Sequence, residues 1–98
     1  MNVTINSIHF TADAKLKSFI ESKLEKLNKF YDRIIGVEVF LKLENSGQVK
    51  DKIVELKTTI PGATLMATSV DKTFESSMDS ASGNIIRQLK REKDKRRQ

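Results

Sequence analysis

The chain contains no cysteine, so a disulfide framework, a cysteine-ligated zinc site and triads of the Cys-His type are all excluded. His9 is the only histidine. A lone imidazole beside strand residues reads as a packing or capping group, and most transition-metal sites need more than it can offer. Four glycines, at 36, 47, 62 and 83, stand isolated, which rules out a glycine-rich phosphate loop. One proline and few glycines argue against a fibrous or disordered chain, and 38% hydrophobic with 32% charged residues is ordinary for a globular protein. No apolar run approaches the length that spans a bilayer. Met1 to Phe10 lacks the basic run and apolar stretch of a signal peptide, so a cytoplasmic location is expected and the Asn2-Val3-Thr4 sequon carries no weight. The thirteen carboxylates fall almost entirely at solvent-facing positions, with no pair set apart for acid-base work. The expectation is a protein that is not an enzyme, with no cofactor, no metal, no small-molecule substrate and no membrane partner.

What is present is an uneven charge. Residues 1–86 hold eleven basic and eleven acidic groups, whereas 87–98 hold seven basic groups against two acidic ones, so the whole net charge of +5 lies in the last twelve residues. One or two cations at a helix C-terminus serve the helix dipole. Seven create a local field that attracts a polyanion, for which RNA is the natural cytoplasmic candidate.

Hydrophobic periodicity divides the 98 residues into six elements of a single domain. Val3 and Ile5 alternate with polar neighbours as in a strand, and the parity slip at Ile8 and Phe10 ends that strand near Asn6. Thr11 is the expected N-cap of a helix over 12–30, with Asp13 suited to the positive end of its dipole. Leu16, Phe19, Ile20, Leu24, Leu27, Phe30 and Tyr31 fall within an arc of about 140° and form its buried stripe. One flank carries Lys15, Lys26 and Lys29, and the other Glu21 and Glu25. Lys23 projects inside the apolar arc, where it either snorkels over the sheet edge or makes a functional contact.

Strands follow over 34–44, with Val37, Val39, Leu41 and Leu43 inward, and over 50–60, with Val54, Leu56, Thr58 and Ile60 inward. A hairpin loop at 45–49 joins them, and Pro61-Gly62 turns the chain into a last strand over 64–70. A second helix starts near Asp71 to Thr73 and buries Phe74, Met78, Ala81, Ile85 and Leu89. Its serine-rich middle has poor helix propensity and depends on packing against the sheet. Both apolar helix faces need the same sheet face, so the expected fold class is α+β, a two-layer β-α-β-β-β-α sandwich. If the helices lie side by side, the basic flank of the first and the basic end of the second form one surface. An RNA-recognition motif would stack bases on strand aromatics, for which only Phe40 is available; a helix-based reader of RNA shape fits the charge map better.

Leu16-Lys17-Ser18-Phe19-Ile20, Lys23-Leu24-Glu25-Lys26-Leu27, Phe30-Tyr31-Asp32-Arg33-Ile34 and Arg87-Gln88-Leu89-Lys90-Arg91-Glu92-Lys93 together resemble the ribosome hibernation-promoting factor family, also called protein Y or ribosome-associated inhibitor. The resemblance covers essentially the whole chain. It implies a double-stranded-RNA-binding-like fold, spanning 1–98, that lodges in the small ribosomal subunit near the decoding site and stops translation by occluding messenger and transfer RNA. The implied partners are that subunit and its ribosomal RNA, with the protein a monomer off the ribosome. The implied contacts are Lys23, Lys26 and Lys29 on the first helix and Arg87, Lys90, Arg91, Lys93 and Lys95 on the second; Lys15 and Arg33 are added from the charge map. Two departures stand out: Asn84 where many members have lysine, and Thr73-Phe74-Glu75 where Asp-x-Tyr is usual. Ending at Gln98, the chain resembles the short class, which either assists or opposes ribosome dimerisation. A general structured-RNA binder and a protein-interaction regulator such as a sigma-54 modulator are the alternatives.

Overall fold

The computed structural model describes residues 1–44, 49 and 51–96. Its elements are β1 (Asn2–Ile8), α1 (Ala14–Phe30), β2 (Gly36–Leu43), β3 (Lys52–Ile60), β4 (Ala63–Asp71) and α2 (Phe74–Arg96). The strands form one sheet in the order β1-β2-β3-β4, with β1 parallel to β2 and the other pairs antiparallel. A parallel pair needs a crossover, and α1 supplies it. Both helices cover one face, giving the expected two-layer α+β sandwich.

Alternation explains the register. Val37, Val39 and Leu41 on β2, Val54, Leu56, Thr58 and Ile60 on β3, and Leu65 and Ala67 on β4 are buried beneath the helices. Ile20, Leu24 and Leu27 of α1 meet them together with Met78, Ala81, Ile85 and Leu89 of α2. Each fully buried Val, Leu, Ile or Met side chain among them contributes about 1.5 to 3 kcal/mol of transfer free energy.

Several boundaries differ from the sequence expectation, each for a packing reason. β1 continues past Asn6 because its pairing with β2 runs on through Ile8 opposite Lys42. The chain then reverses at His9, which is exposed and has φ 66, so the histidine is a turn residue and neither packs nor caps. α1 begins at Ala14, two residues later than expected, and its N-cap is Asp13 in place of Thr11. Asp13 Oδ1 accepts a hydrogen bond from the Leu16 amide at 2.8 Å. The delay follows from the core: Ala12 is buried, and the Phe10 ring stacks on Phe74 at 5.1 Å, which ties 10–12 to the core ahead of the helix. Leu43 has inward parity but is 38% exposed, since it lies beyond the reach of the helices. The expected hairpin loop at 45–49 falls outside the described residues apart from Val49, which is exposed. Gly62, at φ 83, takes the left-handed position of the Pro61-Gly62 turn between the paired Ile60 and Ala63.

α2 starts where Thr73 Oγ1 accepts from the Ser76 amide at 3.0 Å. Its serine-rich middle packs as expected: Ser77 and Ser82 are buried beside Met78 and Ala81, and the Ser77 hydroxyl donates to the Ser69 carbonyl of β4 at 2.8 Å. Gln88 Nε2 donates to both the Met66 carbonyl and Asn84 Oδ1, so Asn84 helps tie this helix to β4.

Candidate nucleic-acid interface

Three contacts set the relation of the two helices. Near their starts Phe10 stacks on Phe74; midway Lys23 Nζ meets Asp79 Oδ1 at 2.6 Å; at the far end Lys93 Nζ lies 4.1 Å above the Phe30 ring. Contacts that advance together along both helices mean that α1 and α2 lie side by side and point the same way. Their C-terminal ends therefore coincide. Each such end carries the negative pole of a helix dipole, which cations complement.

Phe19, Lys23 and Phe30 mark the side of α1 that meets α2. At about 100° per residue, Lys26 and Lys29 project on this same side, rotated outward towards solvent, and both are exposed. Arg33 is exposed in the turn that follows Phe30. On α2, Lys90 and Lys93 line a cleft with Phe30, Ile86 and Asp94, so they face α1. The structure thus brings Lys26, Lys29, Arg33, Lys90 and Lys93 to one end of the helical layer.

The remaining sequence candidates are placed differently. Arg87 lies about 60° around the helix from Lys90, and its Nη1 would stand 3.8 Å from a Cβ at Gly83, an ordinary van der Waals contact. Arg91 and Lys95 lie about 160° round from Lys93, on the flank above β4, and Lys95 Nζ is 3.5 Å from Glu92 Oε1. Lys15 stands at the opposite end, in a depression shared with Asp13 and Glu75, where the local charge is mixed. Lys23 does not snorkel over the sheet edge: it spans the two helices, tied to Asp79 and lying 5.3 Å from the Phe19 ring centroid. Its anomalous position in the apolar arc is an interhelical clamp.

Sequence reasoning missed Asp79 and placed Phe30 only in the buried stripe. The Phe30 ring is in fact half-buried, with its outer part beneath a lysine. The 100° periodicity put Phe30 on the packed side of its helix, but periodicity alone cannot say which residue of another helix stands opposite.

The outer face of the sheet is a weaker candidate for RNA. Glu38 and Glu55 lie 3.9 and 2.9 Å from Lys57 and Lys42, so its charges are paired across strands. Phe40 stands there half-buried, without a second aromatic beside it on β2. Among the described residues no helix is long and apolar enough to cross a membrane, and no cluster of three His, Cys, Asp or Glu side chains is placed to hold a metal.

Residues 3–97 match the family model described as sigma 54 modulation protein / S30EA ribosomal protein. The chain belongs to this family. Similar proteins include the ribosome hibernation promoting factor of Pseudomonas putida, 28% identical over 95 residues that make up 97% of this chain and 89% of that protein. The ribosome hibernation promoting factor of Escherichia coli is 29% identical over 98 residues, covering 100% of this chain and 97% of that one. Among solved structures, a ribosomal subunit interface protein from Coxiella burnetii superposes with a TM-score of 0.86 at 20% identity, over 96% of this chain and 99% of the other. The N-terminal domain of Thermus thermophilus Protein Y gives 0.79 at 23% identity, over 93% and 98%. These two likenesses show the S30EA fold.

Proposed function

We propose that this S30EA-family chain is a cytoplasmic, non-enzymatic ribosome hibernation factor. It binds the small ribosomal subunit and its ribosomal RNA near the decoding site and inhibits translation by occupying the path of messenger and transfer RNA. One observation carries the reading: the two parallel helices bring Lys26, Lys29 and Arg33 beside Lys90 and Lys93, making one basic surface from two separate stretches of sequence. Such a surface matches a phosphate backbone by position as well as by charge. The relatives named ribosome hibernation promoting factor support the same reading.

Arg87, Arg91 and Lys95 extend this surface over the crest and outer flank of α2. Lys15 adds a more distant contact, and Lys23 adds one between the helices, where its ammonium also pairs with Asp79. The domain 1–98 acts as one ribosome-binding unit, with its basic helix end at 87–98. No step makes or breaks a covalent bond, because occlusion requires only that the site be filled.

A purified translation system tests this. The protein should inhibit, and excess initiator transfer RNA together with messenger should relieve the inhibition by competing for the same space. Inhibition that ignores both but vanishes on adding any double-stranded RNA would show a general RNA binder in its place.

A further inference from the structure

The cleft between the C-terminal ends of the helices combines an aromatic face with two cations. Phe30 ends α1 with its ring half-buried, and Ile86, also half-buried, forms the adjoining wall. Lys93 Nζ covers the ring face at 4.1 Å, and Lys90 and Asp94, both exposed and one helical turn apart, complete the lining. The cleft has a volume of about 450 Å³, within the usual range for a small-molecule pocket.

The other five aromatics do not share this arrangement. Phe10 and Phe74 are stacked on each other, Tyr31 is buried, and Phe40 lies on the opposite side of the sheet from the helices. Phe19 lies beneath Lys23, whose ammonium is fixed by Asp79. Among the described residues the cation over Phe30 makes no ion pair, although Asp94 lines the same cleft, and a lysine stem is flexible enough to swing aside.

We propose that this cleft is a stacking site for one unpaired nucleotide of the bound RNA, the base lying on Phe30 and its flanking phosphates meeting Lys90 and Lys93. The inference rests on the RNA-binding reading above and adds to it a preference for RNA with an unstacked base. The exchange is favourable because an exposed cation–π contact is weaker than base–aromatic stacking, and the displaced ammonium gains a phosphate. Asp94 offers an acceptor to the N–H groups on the edge of the base. Unpaired bases are what proteins read in otherwise shape-recognised RNA, since the deep groove of an A-form helix is closed to side chains.

The test uses two RNA hairpins, one fully paired and one with a single bulged 5-iodouridine, whose photochemistry cross-links stacked aromatic side chains. The full-length protein should bind the bulged hairpin about tenfold more tightly than the paired one, as one stacked base implies. Irradiation should place the cross-link on Phe30. Phe30→Leu keeps the apolar contact with the core but removes the aromatic face, so it should erase the preference, while Phe30→Tyr should retain it. Thermal unfolding checks that the leucine variant is folded; if it is not, the cross-link site in the unaltered protein decides. A cross-link on another residue, or a bulge preference that survives in folded Phe30→Leu, overturns the proposal. Replacing Lys90 and Lys93 with alanine separates the two levels. If that weakens binding to both hairpins while Phe30→Leu changes neither, the stacking site falls and the wider RNA-binding reading stands. If neither change has any effect, both fall.

Discussion

Thr58 lies in the last third of β3 with its side chain fully buried, and its Oγ1 has no hydrogen-bond partner among the described residues. A hydroxyl in that position contributes volume at the cost of desolvation, so Thr58→Val, nearly the same shape, should stabilise the fold by about 1 kcal/mol. A rise in the urea midpoint with an unchanged slope would confirm it; a fall would mean that the hydroxyl is satisfied. Lys23 poses the opposite case, a charge whose partner is present. Its ion pair with Asp79 is partly solvated, with side-chain exposures of 26% and 53%, so a double-mutant cycle should give a coupling below about 1 kcal/mol. The anomaly of a lysine in an apolar arc was legible from the 100° periodicity of α1. Its explanation was not, because Asp79 belongs to an element far along the chain, and so it was with Phe30 beneath Lys93.

At the scale of elements, the apolar stripes of both helices and the alternation in β2 and β3 were readable because a 3.6-residue or two-residue period records which face is buried. The ends of elements were less so, since several residues near each end have the chemistry to cap. Thr11 and Asp13 can both accept from free helix amides, and the burial of Ala12 and the stacking of Phe10 select the later one. Asp13→Ala should therefore cost about 1 kcal/mol, while Thr11→Ala should change stability by less than about half of that. Equal losses in chemical denaturation would contradict this capping scheme. Within α2, a Cβ at Gly83 would meet only the mobile end of Arg87, at 3.8 Å. Gly83→Ala should stabilise α2 by about 0.5 to 1 kcal/mol, visible as a higher unfolding midpoint, because glycine loses the most backbone entropy on entering a helix.

Across the whole molecule, the crossover from β1 through α1 to β2 and the meander that leads to α2 leave the helices parallel, so their basic ends meet. The charge imbalance of 87–98 was plain in the sequence, whereas its meeting with Lys26 and Lys29 depends on helix direction, which sequence periodicity does not record. About six phosphate contacts on this face should make log K fall against log salt with a slope of about −4 to −5. The central claim is that α1 and α2 bind as one surface, and equilibrium binding of charge-reversed protein to purified small ribosomal subunits tests it most directly. Lys26→Glu with Lys29→Glu should abolish binding although 87–98 is untouched, because the RNA must follow both helices at once. A variant that still binds as the unaltered protein does, and fails only when 87–98 is neutralised, would show a basic tail acting alone and contradict the joint surface.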